Sequence, residues 1–262
     1  MKYPKISIVT VSFNQAKYLE DNIKSVIAQK YPNVEHIIID GGSTDGSVEI
    51  LKKYDKHIKW ISEKDEGQSD GLNKGFKMAT GDIIGWVNSD DRLTEGSLFK
   101  VAEFFMNNPH EIAVVGDQDV IDENGNLIST IKSREYTYDF LVNEATGITQ
   151  NSMFFKREVF DKIGYLDKNL HYAMDMDLFI RIASLKKIPY IPQRLAQFRI
   201  QPESKTSEGG HKFAKELLKL RKKYNRKFLS PAHINDLYVL YSAPLKKIPG
   251  LRKLVRKLKG VE

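Results

Sequence analysis

The sequence predicts an α/β fold. It expects a doubly wound, mostly parallel sheet in the first 93 residues, a less regular half over 94–210, and a basic helical extension over 211–262. Three observations carry this. Short β-rich runs alternate with helical patterns from residue 5 to residue 93. The carboxyl ends of those runs are all polar. The charge is split: residues 211–262 hold 15 Lys and Arg against 3 Asp and Glu, and residues 1–210 hold 26 against 31. The overall net charge of +7 therefore belongs to the tail, and a basic, nucleic-acid-binding reading of the body is excluded.

The elements follow in order. KISIVTVS (5–12) is a β-rich run bounded by Asn14. AKYLEDNIKSVIAQ (16–29) sets Leu19, Ile23, Val26 and Ile27 on one helical face. VEHIIID (34–40) is a second strand, and STDGSVEILKKY (43–54) opens with capping residues and continues as a helix. HIKWIS (57–62) is a third strand, SDGLNKGFKMAT (69–80) a helix closed by Gly81, and DIIGWVN (82–88) a fourth strand. Repeated β-α-β units imply right-handed crossovers. A helix over 95–107, with Thr94 as its N-cap, precedes a hairpin of 112–121 and 127–131 around DENGN. Residues 149–167 read as strand then helix, stopped by Gly164, and 173–185 as an amphipathic helix. Residues 188–200 read as short extended pieces.

Composition bounds the chemistry. A chain of 262 residues with 41% apolar content can bury a large core. It has no cysteine, which excludes disulfides, thiolate metal sites and a cysteine nucleophile and fits a reducing cytoplasm. The first residues read directly into a strand without a signal-peptide core, and no run reaches the roughly 20 apolar residues of a membrane span. The expected location is the cytoplasm, with any membrane contact peripheral at the inner face of the plasma membrane.

Ligands of open α/β sheets bind beyond the carboxyl ends of the strands. Those ends hold Thr10, Ser12 and Asn14; Asp40, Gly41, Gly42 and Ser43; Glu63, Asp65, Glu66, Gly67 and Gln68; and Asn88, Ser89, Asp90 and Asp91. Three of the four carry acids, and their convergence would leave uncompensated negative charge that a divalent cation relieves. Hard oxygen ligands suit Mg²⁺ or Mn²⁺, and magnesium completes its shell with water and substrate phosphates, as a nucleotide diphosphate would allow. The glycine-rich loop 40–47 has neither dinucleotide-binding nor P-loop spacing, so residues 43–47 read as structural.

The stretches SIVTVSFNQAKYLEDNIKSVIAQ, IIIDGGSTDGS, DEGQSDGLNKGFKMATGDIIGWVNSDD and MDMDLFIRIA, in this order over roughly residues 5–185, resemble the family 2 nucleotide-sugar glycosyltransferases of the GT-A fold. The resemblance implies that Thr10 and Ser12 line a base pocket, that Asp40 bonds the base, and that Asp65 and Asn73 lie near the donor. Asn88-Ser89-Asp90-Asp91 stands in the place of the DxD-type motif, with Asp90 toward the ribose or sugar and Asp91 on the metal. Asp175 matches the acceptor-side general base. The chain departs from the family at Asn88, where an acid is usual, at Leu72, where an Arg is frequent and which Lys74 could offset, and at Met174.

Positions 175 and 177 lie about 200° apart on a helix, so one of the two acids faces the crevice. The implied reaction is an inverting, metal-dependent transfer of a hexose or N-acetylhexosamine, from a UDP-type donor to a hydroxyl of a glycan or lipid-linked saccharide, in cell-surface polysaccharide synthesis. The alternatives are a nucleotidyltransferase and a non-catalytic nucleotide-sugar-binding protein. His171 and His211 receive no role, and Gln150 is a weak acceptor-side candidate. GLRKLVRKLKG (250–260) reads as an interfacial amphipathic helix, so residues 245–260 offer peripheral contact with an anionic membrane; packing on the body is the competing reading.

Overall fold

A computed structural model describes residues 3–201 and 210–245. The chain divides into two compact units: residues up to Tyr138 together with Ile148–Gln201, and Asp139–Gly147 together with the chain from Pro202 onward.

The first unit is built on one nine-stranded sheet. Its parallel half comprises β1 (Ile6–Ser12), β2 (Val34–Asp40), β3 (Lys59–Ser62) and β4 (Ile83–Trp86), in the order β3-β2-β1-β4. β1 is central: Ile6 pairs with Val34 on one side and Ile83 on the other, both parallel. The winding reverses between β1 and β4, which places a crevice beyond Ser12 and Trp86. The crossovers are α1 (Ala16–Ile27), α2 (Ser47–Lys53) and α3 (Gln68–Met78). α1 buries Leu19, Ile23 and Val26 as its pattern predicts, while Ile27 is exposed.

The second half of the sheet is mixed. After β5 (Arg92–Leu93) and α4 (Ser97–Asn107) come β6 (Ala113–Ile121), β7 (Leu127–Ile131), α5 (Tyr138–Asn143), β8 (Met153–Lys156), α6 (Val159–Ile163), α7 (Met174–Leu185) and β9 (Tyr190–Arg199). β8 joins the halves, running antiparallel to β4 and to β6, and β9 lies parallel to β6 and antiparallel to β5. The β6–β7 hairpin forms where DENGN predicts it, with Gly125 at φ +88° and the Asp122 carboxylate accepting the Asn124 and Asn126 amides. A core of Ile6, Ile8, Val87, Leu98, Val101, Phe105, Val114, Phe154 and Leu195 packs the strands against α4.

Three sequence expectations are corrected. α2 begins at Ser47, not 43, because Asp40 and Asp45 draw the amides of Ser43 and Ser47 into side-chain-closed turns and Gly46 takes φ +98°. Residues 190–199 form one strand rather than fragments; its pairing with β6 is bulged between Val115 and Gln118, which accommodates Pro192. Thr94 does not cap α4: Gly96, at φ +72°, precedes the helix, and the Thr94 hydroxyl donates to the Arg194 carbonyl.

The second unit contains α8 (Gly210–Lys223) and α9 (Pro231–Leu245). Arg221 is fully buried: it pairs with Asp236 at 2.9 Å and donates to the carbonyls of Leu141, Val142 and Ala145. Among the described residues no helix is long and apolar enough to cross a membrane. The amphipathic stretch 250–260 lies outside the described residues.

Candidate active site

Beyond β1 and β2 the crevice wall is made of hydroxyls and carboxylates. Ser12 is buried and its Oγ has no hydrogen-bond partner. Thr10 departs from the expected ligand-lining role. It has no exposed surface, and its hydroxyl donates to the Val87 carbonyl at 2.7 Å and meets His36 Nε2 at 3.0 Å, tying β1 to β4 and β2. Burial pushes the His36 imidazole down to about 3, so it is neutral.

Asp40 is also more structural than its place at a strand end implies. Its carboxylate accepts Gly42 N–H, Ser43 N–H, the Ser43 hydroxyl and the Ser62 hydroxyl, at 2.5–3.1 Å. It thereby shapes the glycine loop. Asp65 does enter the crevice wall: a Cβ at Gly41 or Gly71 would stand 2.9 or 3.1 Å from Asp65 Oδ2. The absence of side chains at both positions is what lets that carboxylate approach the backbone. Lys74 pairs with Glu63 at 2.7 Å and Asp70 at 3.5 Å, so it is engaged within the loop region rather than standing in for the missing Arg.

The acid turn after β4 is held from three sides. Asn22 of α1, fully buried, donates to the carbonyls of Asn88 and Asp91, both at 2.9 Å. Arg199, at the end of β9, donates its backbone N–H to Asp91 Oδ1 at 2.9 Å and its Nε to the Asp90 carbonyl at 2.8 Å. Its guanidinium continues to Asp21 and the Glu123 carbonyl and lies over the Tyr18 ring. Asn88 accepts from Trp86 Nε1 and Gln68 Nε2, and Gln150 donates to the Trp86 carbonyl. Ser89 is buried.

The two aspartates differ. Asp91 is 1% exposed, and burial, then the neighbouring Asp90 charge, push its carboxyl well above the usual range. Asp90 keeps some exposed surface, and its carboxylate receives one side-chain donor, Gln201 Nε2 at 2.9 Å; burial pushes its carboxyl above the usual range as well. Asn151 is near enough to temper the Asp91 shift, yet at 2% exposure neither its Oδ1 nor its Nδ2 has a hydrogen-bonding partner.

On the acceptor side, Asp177 is buried and paired with Arg181 at 2.7 Å, one helical turn on. That removes it as the rival of Asp175, which is partly exposed in the first turn of α7, where Oδ1 accepts the Met176 N–H. Asn73, expected near the donor, is buried. Its side-chain amide pairs with both the N–H and the C=O of Leu166, at 2.9 Å each, pinning the segment that leads into α7.

The residues fit a hard divalent cation. Among the described residues no group of three His, Cys, Asp or Glu could hold a metal alone. Asp90 is nevertheless a partly exposed acid beside a second one, Asp91, whose carboxyl its charge raises, a repulsion that a cation relieves. A single protein carboxylate is within the habit of Mg²⁺ when substrate phosphates supply further oxygens. Sequence reading missed Asn22, Arg199, Gln201 and Asn151. Only Asn151, adjacent to Gln150, lay near a residue it considered.

Residues 7–164 match the model of Glycosyl transferase family 2. TuaG of Bacillus subtilis, a glycosyltransferase named for teichuronic acid biosynthesis, is 36% identical over 108 residues, covering 39% of this chain and 42% of that protein. Alignments to three such curated relatives span 42%, 65% and 84% of their own lengths. Staphylococcus aureus TarS residues 1–349, solved with UDP-GlcNAc, superposes with a TM-score of 0.65 at 18% identity, over 91% of this chain and 71% of that one. The mannosyltransferase PcManGT of Pyrobaculum calidifontis, solved with GDP-Man and Mn²⁺, gives 0.66 at 16% identity, over 99% and 81%.

Proposed function

The chain belongs to glycosyl transferase family 2, and from that premise we propose that it moves a hexose or N-acetylhexosamine from a UDP-sugar to a hydroxyl of a glycan or lipid-linked saccharide. The observation that carries this reading is the asymmetry of the acid turn. Asp91 is buried and takes the Arg199 N–H, whereas Asp90, at the sheet's switch point, is partly exposed and receives one side-chain donor, Gln201. We therefore assign Asp90, rather than the sequence-favoured Asp91, to the cation and the donor diphosphate. The UDP-GlcNAc and the Mn²⁺ bound by the two structural relatives support the donor class and the metal. The similarity to TuaG, named for teichuronic acid biosynthesis, supports a cell-surface polysaccharide acceptor.

A bound Mg²⁺ or Mn²⁺ supplies Lewis-acid neutralisation of the departing diphosphate. The orphaned Ser12 hydroxyl receives the nucleotide, and Asp65 borders the donor across Gly41 and Gly71. Asp175 accepts the proton of the acceptor hydroxyl as that oxygen attacks the anomeric carbon. The displacement is in line and inverts the configuration, with no sugar–enzyme bond. Loop 41–47 holds no Lys or Arg, so nothing there favours the triphosphate chemistry of a nucleotidyltransferase.

The test is calorimetry against UDP-, GDP- and dTDP-sugars with and without Mn²⁺, followed by mass spectrometry of saccharide acceptors. Metal-dependent binding of a UDP-sugar and a product heavier by one sugar are expected. Equal binding without metal, or binding without turnover on any acceptor, would overturn the reading.

A further inference from the structure

The second unit carries a surface that the transfer reaction does not use. α8 buries Ala214, Leu217, Leu220 and Arg221 and leaves Lys212, Lys215, Lys219, Lys222 and Lys223 exposed. Those five lysines fall within about 100° of one helical face. α9 buries Ala232, His233 and Asp236, and its exposed Ile234, Tyr238 and Tyr241 fall within a stripe of about 60°. The turn between the helices ends on Phe228 and Leu229, 81% and 57% exposed, with Leu229 held at φ +55°. Lys227 beside them is bound to Asp139 at 2.8 Å.

A lysine face that runs to Lys222 and Lys223 and an exposed apolar tip at Phe228 and Leu229 suit the interface of an anionic bilayer, where Phe and Leu enter the headgroup boundary and lysines meet phosphates. Charge selects this occupant. Residues 210–245 hold 8 Lys and Arg against 2 acids, so a second copy presenting the same surface would be repelled. We propose that this hairpin docks on anionic membrane, with Phe228 and Leu229 entering the headgroup boundary. The surface is distinct from the 245–260 stretch that the sequence singles out, and its binding is measurable without any sugar transfer.

The full chain is sedimented with vesicles of phosphatidylcholine alone or mixed with phosphatidylglycerol. Wild type is expected to bind only the mixed vesicles, and less as salt rises. Phe228→Ser with Leu229→Ser should weaken binding about ten-fold or more, and Lys219→Glu with Lys222→Glu should remove the preference for anionic lipid. Both leave buried residues untouched, so melting temperature and nucleotide-sugar binding should hold. In a Phe228→Trp protein, the emission should shift to the blue on mixed vesicles, above the Trp60 and Trp86 background. The proposal is overturned if wild type does not sediment or if the tip variant sediments like wild type. It is equally overturned if Phe228→Trp emission stays unshifted, or if light scattering shows that the tip variant has dissolved a dimer.

Discussion

The backbone N–H of Arg199 donates to Asp91 Oδ1 at 2.9 Å, joining positions 108 residues apart. This bond fixes the last strand of the first unit to the acid turn after β4. It sets the two adjacent carboxylates apart: Asp91 is buried and bonded to the Arg199 N–H, and Asp90 is partly exposed and bonded to Gln201.

Asp90→Asn and Asp91→Ala should therefore fail in different ways. Burial raises both carboxyls, and the Asp90 charge raises Asp91 further, so the Asp90 charge is a burden on the free protein. Asp90→Asn should leave stability within about 0.5 kcal/mol of wild type or raise it, while removing Mn²⁺-dependent UDP binding. Asp91→Ala leaves the Arg199 amide unpaired and should cost about 1–3 kcal/mol in urea unfolding. Calorimetry showing metal-dependent binding intact in Asp90→Asn would return the cation to Asp91.

Arg199→Met tests the clamp itself. The side chain is 2% exposed and satisfies the carbonyls of Asp90 and Glu123 besides pairing with Asp21. Asp21 can resolvate, but the carbonyls cannot do so easily. A loss of about 2–4 kcal/mol is expected, with weaker donor binding at temperatures where the protein is still folded. Unchanged unfolding would show that the turn stands without its guanidinium.

The parallel half of the sheet was legible because its strands carry local signals: β-branched runs, glycine stops and polar ends within a few residues of one another. Asn22 and Arg199 were not. Asn22 reads as one more polar position on α1, and Arg199 lies in a stretch broken by prolines, so neither announces a partner far along the chain. Burial of polar groups separates Thr10, Asp40 and Asn73 from Ser12 in the same way. All four sit at expected places, but the first three spend their hydrogen bonds inside the fold and Ser12 Oγ has no partner. Position in sequence fixes the neighbourhood of a side chain, and three-dimensional packing decides whether its lone pairs remain for a ligand.

Asp175 and Asp177 separate similarly. Asp175→Asn should lower transfer by about 10²–10⁴-fold with donor binding unchanged, as expected of a lost general base. Asp177→Asn instead leaves Arg181 facing an amide and should show as a lower melting temperature, with the remaining folded protein active. Steady-state rates with a saturating acceptor, set beside thermal melts, distinguish the two. Equal loss of activity in both variants would place the base elsewhere.

Asn73→Leu should act on α7 from a distance. The substitution leaves the N–H and C=O of Leu166 without their paired amide and loosens the segment before Met174. The expected cost is about 1–3 kcal/mol of stability. A fall in kcat of about ten- to a hundred-fold should accompany it, while the donor KM stays near its wild-type value. A large rise in donor KM with kcat unchanged would restore Asn73 to the donor pocket.

His36 predicts the acid limb of stability. Burial lowers its folded value to about 3 from the usual 6.5, so between those values the unfolded chain binds the extra proton. Stability from the neutral imidazole is thus complete above pH 6.5 and falls as pH drops, by about 1.4 kcal/mol per unit. The raised Asp90 and Asp91 carboxyls act in the opposite direction, since their native forms hold protons longer. A comparison with His36→Gln isolates the histidine, because glutamine can still meet Thr10 but does not titrate. Any advantage of wild type over His36→Gln at pH 7 should shrink by about 2 kcal/mol at pH 5 in urea unfolding. A difference that stays constant across that range would mean that the imidazole titrates in the fold as it does in the unfolded chain, and one that grows toward pH 5 would mean that it is protonated in the fold.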